Sequence, residues 1–384
     1  MATATKTDAT HMREAIELAL RGRGRTSPNP MVGAVLLRDG AVVGRGYHAR
    51  FGGPHAEVGA LAEAGPLAAG ATLYVTLEPC CVWGKTPPCT EAVIDAGVTR
   101  VVVATEDPNP EIAGQGIARL RAAGIEVTLG VERDEAERLN AAYLKFRRTG
   151  LPRVRLKLAL SLDGRITGPP GASRWITSAP SRERVHRMRG ECDCVMIGIG
   201  TVLADDPLLT DRREKEGGRQ PARLVLDGRL RTPPDAALVR TAAGVRTVVA
   251  CSTEAEGDRE RTLADRGIEI WRFPADGHGL PVADVLRRAA SSGLIDVLCE
   301  GGTGIATALL GGGLVDDVAF FYTPRIFGAD GRPAFGRAPE RCWGEGPFLK
   351  NVRLSACGDD WLLEGRVRRS SGEAEDEEEA CSRG

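Results

Sequence analysis

The chain has 384 residues, with 51 Lys and Arg against 52 Asp and Glu, a formal balance of −1, and 42% hydrophobic and 27% charged residues. These ordinary globular values exclude a largely disordered chain, and the length exceeds one ordinary domain, so two are expected. The neutral balance and the few aromatics (5 Trp, 4 Tyr and 8 Phe) give no support to nucleic acid or an anionic membrane as partner, and no run approaches the ~18 uncharged apolar residues of a bilayer span.

Taken in chain order, MREAIELALR (12–21) has helical spacing, with Ile16 and Leu20 on one face. MVGAVLLR and AVVGRGY, joined by Asp39-Gly40, predict a β-hairpin, because Asp-Gly suits the primed turns that match strand twist. A helix after His55, the strand ATLYVTL, a helix after Cys89, the strand RVVVAT and a further helix–strand pair ending near Val131 follow. Such alternation predicts a mostly parallel sheet covered on both faces. DEAERLNAAYLKFR (134–147) reads as one amphipathic helix, and Gly150 before Leu151-Pro152 as its stop and a domain boundary.

From Arg153 a second alternating series begins: VRLKLAL, a helix around 179–190, CVMIGIG, ARLVLDG, VRTVVAC, a helix at 282–291, IDVLCE, a helix at 303–310, DVAFFYT and WLLEGRV. The expected domains are therefore 1–150 and 151–368, both α/β. Residues 369–384, with six acids between Glu373 and Glu379, are expected to be a disordered acidic tail. The N-terminus lacks the apolar core of a secretory signal, so a cytoplasmic protein is expected, and there the ten cysteines are not expected to form five disulfides.

Three of those cysteines and histidines stand apart. His55-Ala56-Glu57 opens a predicted helix, Pro79-Cys80 ends a predicted strand, and Cys89 follows. One imidazole and two thiolates suit zinc, and three protein ligands leave a fourth position for water, whereas a structural zinc more often has four. Glu57, two residues past the histidine, is placed to take a proton from water and return it to a leaving amine. His-x-Glu with Pro-Cys is the nucleobase-deaminase pattern, met only in part because the second cysteine comes nine residues later instead of three. Cys192, Cys194, Cys251, Cys299, Cys342, Cys357 and Cys381 read as small buried hydrophobes. Gly84-Lys85-Thr86 resembles the end of a P-loop, but the position that needs its first glycine is Pro79. In the second half, IDVLCE followed by Gly301-Gly302-Thr303-Gly304 is strand, glycine turn and helix, which suits a pyrophosphate but also joins strands to helices in many other proteins.

TSPNPMVGAVLLRDG, GGPHAEV, YVTLEPC, GKTPPC and DPNP, then LALSLDGRI, SRWITS, GTVLADDPLLT and CEGG, resemble in order the bifunctional riboflavin-biosynthesis deaminase/reductase family, over roughly residues 10–368. The resemblance implies a cytidine-deaminase-like three-layer domain followed by a dihydrofolate-reductase-like domain. It implies zinc deamination of a diaminopyrimidine ribosylamine 5-phosphate, then NADPH reduction of its ribosyl group to ribityl, in an enzyme that works on small molecules and is expected to be a homo-oligomer. His55, Cys80 and Cys89 match its zinc ligands, Glu57 its proton shuttle, and Asn29, His48, Lys85 and Thr86 its deaminase substrate positions. Lys157, Ser173, Arg189, Leu209, Arg212 and Glu300 match reductase substrate positions, with Ser161 and Asp163 beside them. Ala159, Trp175, Thr201, Asp205 and Gly302 to Ala308, including Thr303 and Gly304, match NADPH positions. Arg189 and Arg212 make physical sense as two forks for the phosphate. Gly59, Cys81, Val82 and Trp83 depart from the family pattern, so the alternative is a deaminase diverged towards another aminopyrimidine, still fused to the reductase.

Overall fold

The computed structural model describes residues 5–83, 87–168, 176–213, 219–275, 279–337 and 346–368. The chain divides into two compact units after Pro152. No helix among the described residues is long and apolar enough to cross a membrane.

In the first unit, α1 (Lys6–Leu20) starts well before Met12. Thr5 and Asp8 form a capping box: the Asp8 N–H donates to the Thr5 hydroxyl (3.1 Å) and the Thr5 N–H to the Asp8 carboxylate (2.8 Å). The hairpin forms as expected, β1 (Gly33–Arg38) against β2 (Ala41–Tyr47), with Asp39 and Gly40 at φ 49° and 79°, the left-handed pair of a type I′ turn. α2 (Ala56–Ala64), β3 (Thr72–Val75), α3 (Cys89–Asp95), β4 (Arg100–Val103), α4 (Gln115–Ala122) and β5 (Glu126–Leu129) complete a sheet of order β2-β1-β3-β4-β5. That sheet is mixed: β1 is antiparallel to both β2 and β3, and only β3, β4 and β5 run parallel. The helix expected over 134–147 is two, α5 (Arg133–Leu139) and α6 (Ala141–Thr149), parted at Asn140. The Asn140 side chain competes with the helix by bonding the distant Met31 backbone at both ends, accepting from its N–H (2.8 Å) and donating to its carbonyl (2.9 Å).

Alternation along the strands sends Leu73, Val75, Val101 and Val103 to the face packed by α2, α3 and α4, and Val35, Tyr74 and Val102 to the face packed by α1 and α5. The unit is thus three layers. Glycines set the closest approach: a Cβ at Gly46 would lie 2.0 Å from the Ala56 carbonyl oxygen and one at Gly44 2.2 Å from that of Ala60, so α2 rests directly on the β2 backbone.

The second unit opens with β6 (Arg153–Ser161) and β7 (Arg165–Thr167). α7 (Ala179–Glu191), β8 (Cys194–Gly198), α8 (Ile199–Asp205), β9 (Ala222–Leu226), α9 (Ala237–Arg240), β10 (Thr247–Ser252), α10 (Gly257–Ala264) and β11 (Glu269–Phe273) follow. α11 (Val282–Ser291), β12 (Asp296–Cys299), α12 (Thr303–Gly311), β13 (Asp317–Thr323), β14 (Arg332–Pro333), β15 (Phe348–Cys357) and β16 (Asp360–Arg368) complete it. Nine strands form one sheet of order β11-β10-β9-β8-β12-β6-β13-β16-β15, parallel from β11 to β13 and antiparallel at β16 and β15. β15 has no counterpart in the sequence reading, and this edge strand is exposed over most of its length, its apolar Val352 and Leu354 included. Cys192, Cys194, Cys251 and Cys299 are buried as expected and Cys357 is half-buried, while Cys342, Cys381 and the acidic tail lie outside the described residues.

Candidate active sites

In the first unit two helix N-termini meet. His55 is the N-cap residue of α2 and Cys89 the first residue of α3, while Cys80 follows the end of β3. The ligand atoms of His55, Cys80 and Cys89 lie within 4.8 Å of one another, with His55 Nδ1 3.1 Å from Cys89 Sγ and 3.5 Å from Cys80 Sγ. A tetrahedral zinc with bonds of roughly 2.0–2.3 Å separates its nitrogen and sulfur donors by roughly 3.5 Å, so this donor set fits the ion. Hydrogen bonds from the Cys89 thiol, from His55 and from the Cys89 N–H outweigh burial and draw the Cys80 thiol well below its ordinary range. Helix N-termini favour thiolates for the same electrostatic reason.

Glu57 stands in the first turn of α2 and is 3% exposed. Burial first, then the charge on Cys80, push its carboxyl up to about 7. A carboxyl of that kind beside the donor set can take and release a proton near neutral pH.

His48 is buried, and its two ring nitrogens face Pro54 and Asn29. Nδ1 is 2.9 Å from the Pro54 carbonyl, which can only accept, so Nδ1 carries the hydrogen and Nε2 accepts from the Asn29 amide at 3.3 Å. Burial lowers the pKa of His48, in keeping with a neutral ring that orients Asn29. Lys85 and Thr86 lie outside the described residues. Of the departures, Gly59 belongs to the packing of α2 on β2: a Cβ there would meet the Gly46 Cα at 3.4 Å, an ordinary contact. Cys81 and Val82 are half-buried and Trp83 is 72% exposed.

Glu78 carries a supporting role that the sequence reading passed over. Its buried carboxylate accepts from the N–H groups of Asp107 (3.2 Å), Gly114 (3.0 Å) and Ile117 (3.1 Å), tying the loop before α4 to the Pro79-Cys80 turn. A Cβ at Gly116 would lie 2.1 Å from the Pro79 carbonyl oxygen, so this position needs glycine for α4 to reach the turn. The signal was an acid directly before Pro-Cys: a carboxylate buried there must find donors.

The second unit holds a cavity of about 1150 Å³ at the C-terminal ends of parallel strands β8, β9 and β12, the usual place for a ligand in such a sheet. Eleven positions inferred from the resemblance line it together: Lys157, Arg189, Leu209, Arg212 and Glu300 for substrate, and Ala159, Thr201, Asp205, Gly302, Thr303 and Gly304 for NADPH. Ser173 and Trp175 lie outside the described residues. Ser161 and Asp163 are bonded to each other (2.6 Å), and Asp163 accepts from the N–H groups of Phe327 and Gly328, so this pair shapes a turn.

The charged centre of the cavity is Glu300. Arg189 grips it with Nε (2.6 Å) and Nη2 (2.9 Å), and Lys157 Nζ stands 3.8 Å away. Burial works to raise the Glu300 carboxyl, but Arg189 and then Lys157 outweigh it and hold the group down at about 2. The two arginines are thus divided: the Arg189 fork is spent on Glu300, whereas Arg212 is exposed and bonded to His186. For the dinucleotide, Gly302 and Thr303 open α12, a Cβ at Gly302 would meet only Thr201 Oγ1 at 3.8 Å and the Ile166 side chain at 3.9 Å, and one at Gly304 would meet nothing within 4 Å. That open backbone beside free helix N–H groups fits a pyrophosphate.

Fold and sites define the class: a zinc deaminase of the cytidine-deaminase type joined to a nucleotide-dependent reductase. The cytidine and deoxycytidylate deaminase zinc-binding region matches residues 5–105, and the RibD C-terminal domain matches residues 152–363. The riboflavin biosynthesis protein RibD of Bacillus amyloliquefaciens is 41% identical over 360 residues, covering 92% of this chain and 94% of that one. The RibD of Escherichia coli is 41% identical over 336 residues, covering 85% and 90%. The solved structure of Acinetobacter baumannii RibD has a TM-score of 0.85 at 38% identity, covering 94% of this chain and 99% of that one. A Thermotoga maritima structure, described as a diaminohydroxyphosphoribosylaminopyrimidine deaminase/5-amino-6-(5-phosphoribosylamino)uracil reductase, has a TM-score of 0.79 at 36% identity over 94% and 99%. The chain belongs to the RibD family of riboflavin biosynthesis proteins. It is a bifunctional enzyme of that pathway, with zinc in its deaminase domain and NADPH in its reductase domain. Likeness at this level through both units does not favour the diverged-deaminase alternative.

Proposed function

We propose that the first unit deaminates 2,5-diamino-6-(5-phosphoribosylamino)pyrimidin-4(3H)-one and that the second reduces the ribosyl group of the product to ribityl. The observation that carries this reading is the buried Glu57 carboxyl beside the three converging donors His55, Cys80 and Cys89. Zinc held there supplies Lewis acidity towards water. Glu57 takes a proton from the attacking water on a carboxylate oxygen and hands it to the departing 2-amino group, which leaves as ammonia. Asn29, held by His48, presents its amide to the pyrimidine edge. Lys85 supplies a cation for the 5-phosphate, and Thr86 a hydroxyl beside it.

NADPH supplies the two reducing electrons at the second site. Gly302, Thr303 and Gly304 offer backbone donors to its pyrophosphate, Thr201 and Asp205 border them, and Ala159 and Trp175 flank the nicotinamide. Lys157, Ser173, Leu209 and Glu300 hold the pyrimidine and ribose, with Arg189 fixing Glu300, and Arg212 receives the phosphate. The exposed apolar side chains of edge strand β15, Phe348 and Leu354 among them, support assembly of the chain with further copies of itself.

The test supplies the diaminopyrimidine ribosylamine phosphate with NADPH and follows ammonia and NADPH together. One ammonia per NADPH oxidised, with ammonia appearing first, is the expected result. NADPH oxidation without ammonia release would overturn the assigned order.

A further inference from the structure

One titratable ring in the reductase cavity has no role in the assignment above. His186 lies on α7 one turn before Arg189 and lines the cavity. It is a link in a continuous chain of contacts. Glu300 accepts from the Arg189 fork, Arg189 Nη1 and His186 Nδ1 both reach the Thr210 carbonyl (3.2 and 3.1 Å), and Arg212 Nε and Nη2 stand 3.3 and 3.1 Å from His186 Nε2.

The partners fix the state of the ring. The Arg212 guanidinium can only donate, so Nε2 offers its lone pair and the hydrogen sits on Nδ1, which donates to the Thr210 carbonyl although the Arg212 backbone N–H also stands 3.2 Å from that nitrogen. The surroundings agree. Burial, Arg189 and Arg212 lower the pKa of His186, against the Thr210 carbonyl and Asp211, and Glu300 also faces it. Arg212 is exposed and makes no ion pair among the described residues, so a long side chain with large rotamer freedom is held in one place by this ring.

We propose that His186 is a positioning residue of the reductase, whose ring holds the Arg212 guanidinium at the cavity wall to receive the substrate's phosphate. The inference rests on the assignment of that phosphate to Arg212. The role needs an acceptor at Nε2 and a donor at Nδ1 on one side chain. Glutamine can supply the acceptor in similar volume, and alanine neither.

The test uses the full chain and compares reduction of the deaminated intermediate with reduction of its dephosphorylated form. Arg212→Ala should erase the preference for the phosphorylated substrate. His186→Ala should raise KM for that substrate about 10-fold while kcat, KM for NADPH and KM for the dephosphorylated form stay within about two-fold. His186→Gln should recover part of the loss, and His186→Ala should add nothing in the Arg212→Ala background. An equal KM rise for both substrate forms, or losses that multiply in the double variant, would overturn the role of His186. If Arg212→Ala left the phosphate preference intact, the phosphate assignment itself would fall, and the inference with it.

Discussion

The two sites hold charge out of water by different means. At the deaminase site the chemistry sits on a short stretch: His55 and Cys89 are 34 residues apart, and two helix N-termini and a strand end bring them together. At the reductase site the central ion pair joins residues 111 apart, Arg189 on α7 and Glu300 after β12, and the cavity gathers segments from β6 to beyond α12. A compact donor set needs a few ligands at fixed spacing, and water and metal do the rest. A dinucleotide and a sugar phosphate need a long wall, and no short segment can supply one.

The comparison is broken most sharply by Glu57→Gln. It should lower ammonia release about 10³-fold while one zinc per chain is retained and reduction of an already deaminated intermediate is unchanged. Loss of zinc from that variant alone would make Glu57 a ligand instead of a proton carrier. The counterpart in the second unit is Arg189→Met, which leaves the buried Glu300 carboxylate only the more distant Lys157 and should cost that unit about 3 kcal/mol in urea unfolding, with zinc content and ammonia release kept. Equal destabilisation of both units would show that they do not unfold separately.

Acid should weaken the second unit through the same pair. Glu300 is held at about 2, below its ordinary 4.5, so the stability it contributes is complete above pH 4.5 and is lost as pH falls towards 2. The loss amounts to about 3 kcal/mol, and Glu300→Gln should flatten the acid limb of the unfolding curve over that window. An unchanged limb would mean the ion pair contributes nothing net. The smallest expected effect is at the deaminase phosphate. Lys85→Met should raise KM for deamination about 10-fold, or ~1.4 kcal/mol, with no effect on reduction.

How much of each site was legible follows from the same contrast. His55, Glu57, Cys80 and Cys89 could be read from residue chemistry alone, because zinc restricts ligand types and spacing. In the reductase cavity, residue chemistry alone could read only the glycine turn before α12, and the turn did not show what it bound. Lys157, Arg189 and Glu300 came from resemblance, since nothing local marks a lysine in a strand or an arginine in a helix as facing a distant acid. The division of Arg189 from Arg212 and the place of His186 were hidden for that reason. In the fold, the Asp39-Gly40 hairpin was legible because two residues decide it, whereas the break at Asn140 depends on Met31, 109 residues away, and could not be.

The central claim is that one chain carries two independent chemistries, one needing metal and one not. The most direct test removes zinc with a chelator, confirms the metal loss, and assays each half-reaction on its own substrate. Ammonia release should vanish and return on adding zinc, while NADPH oxidation by the deaminated intermediate continues at its original rate. Ammonia release that survives complete removal of the metal, or a reductase that stops with it while the protein stays folded, would contradict the account.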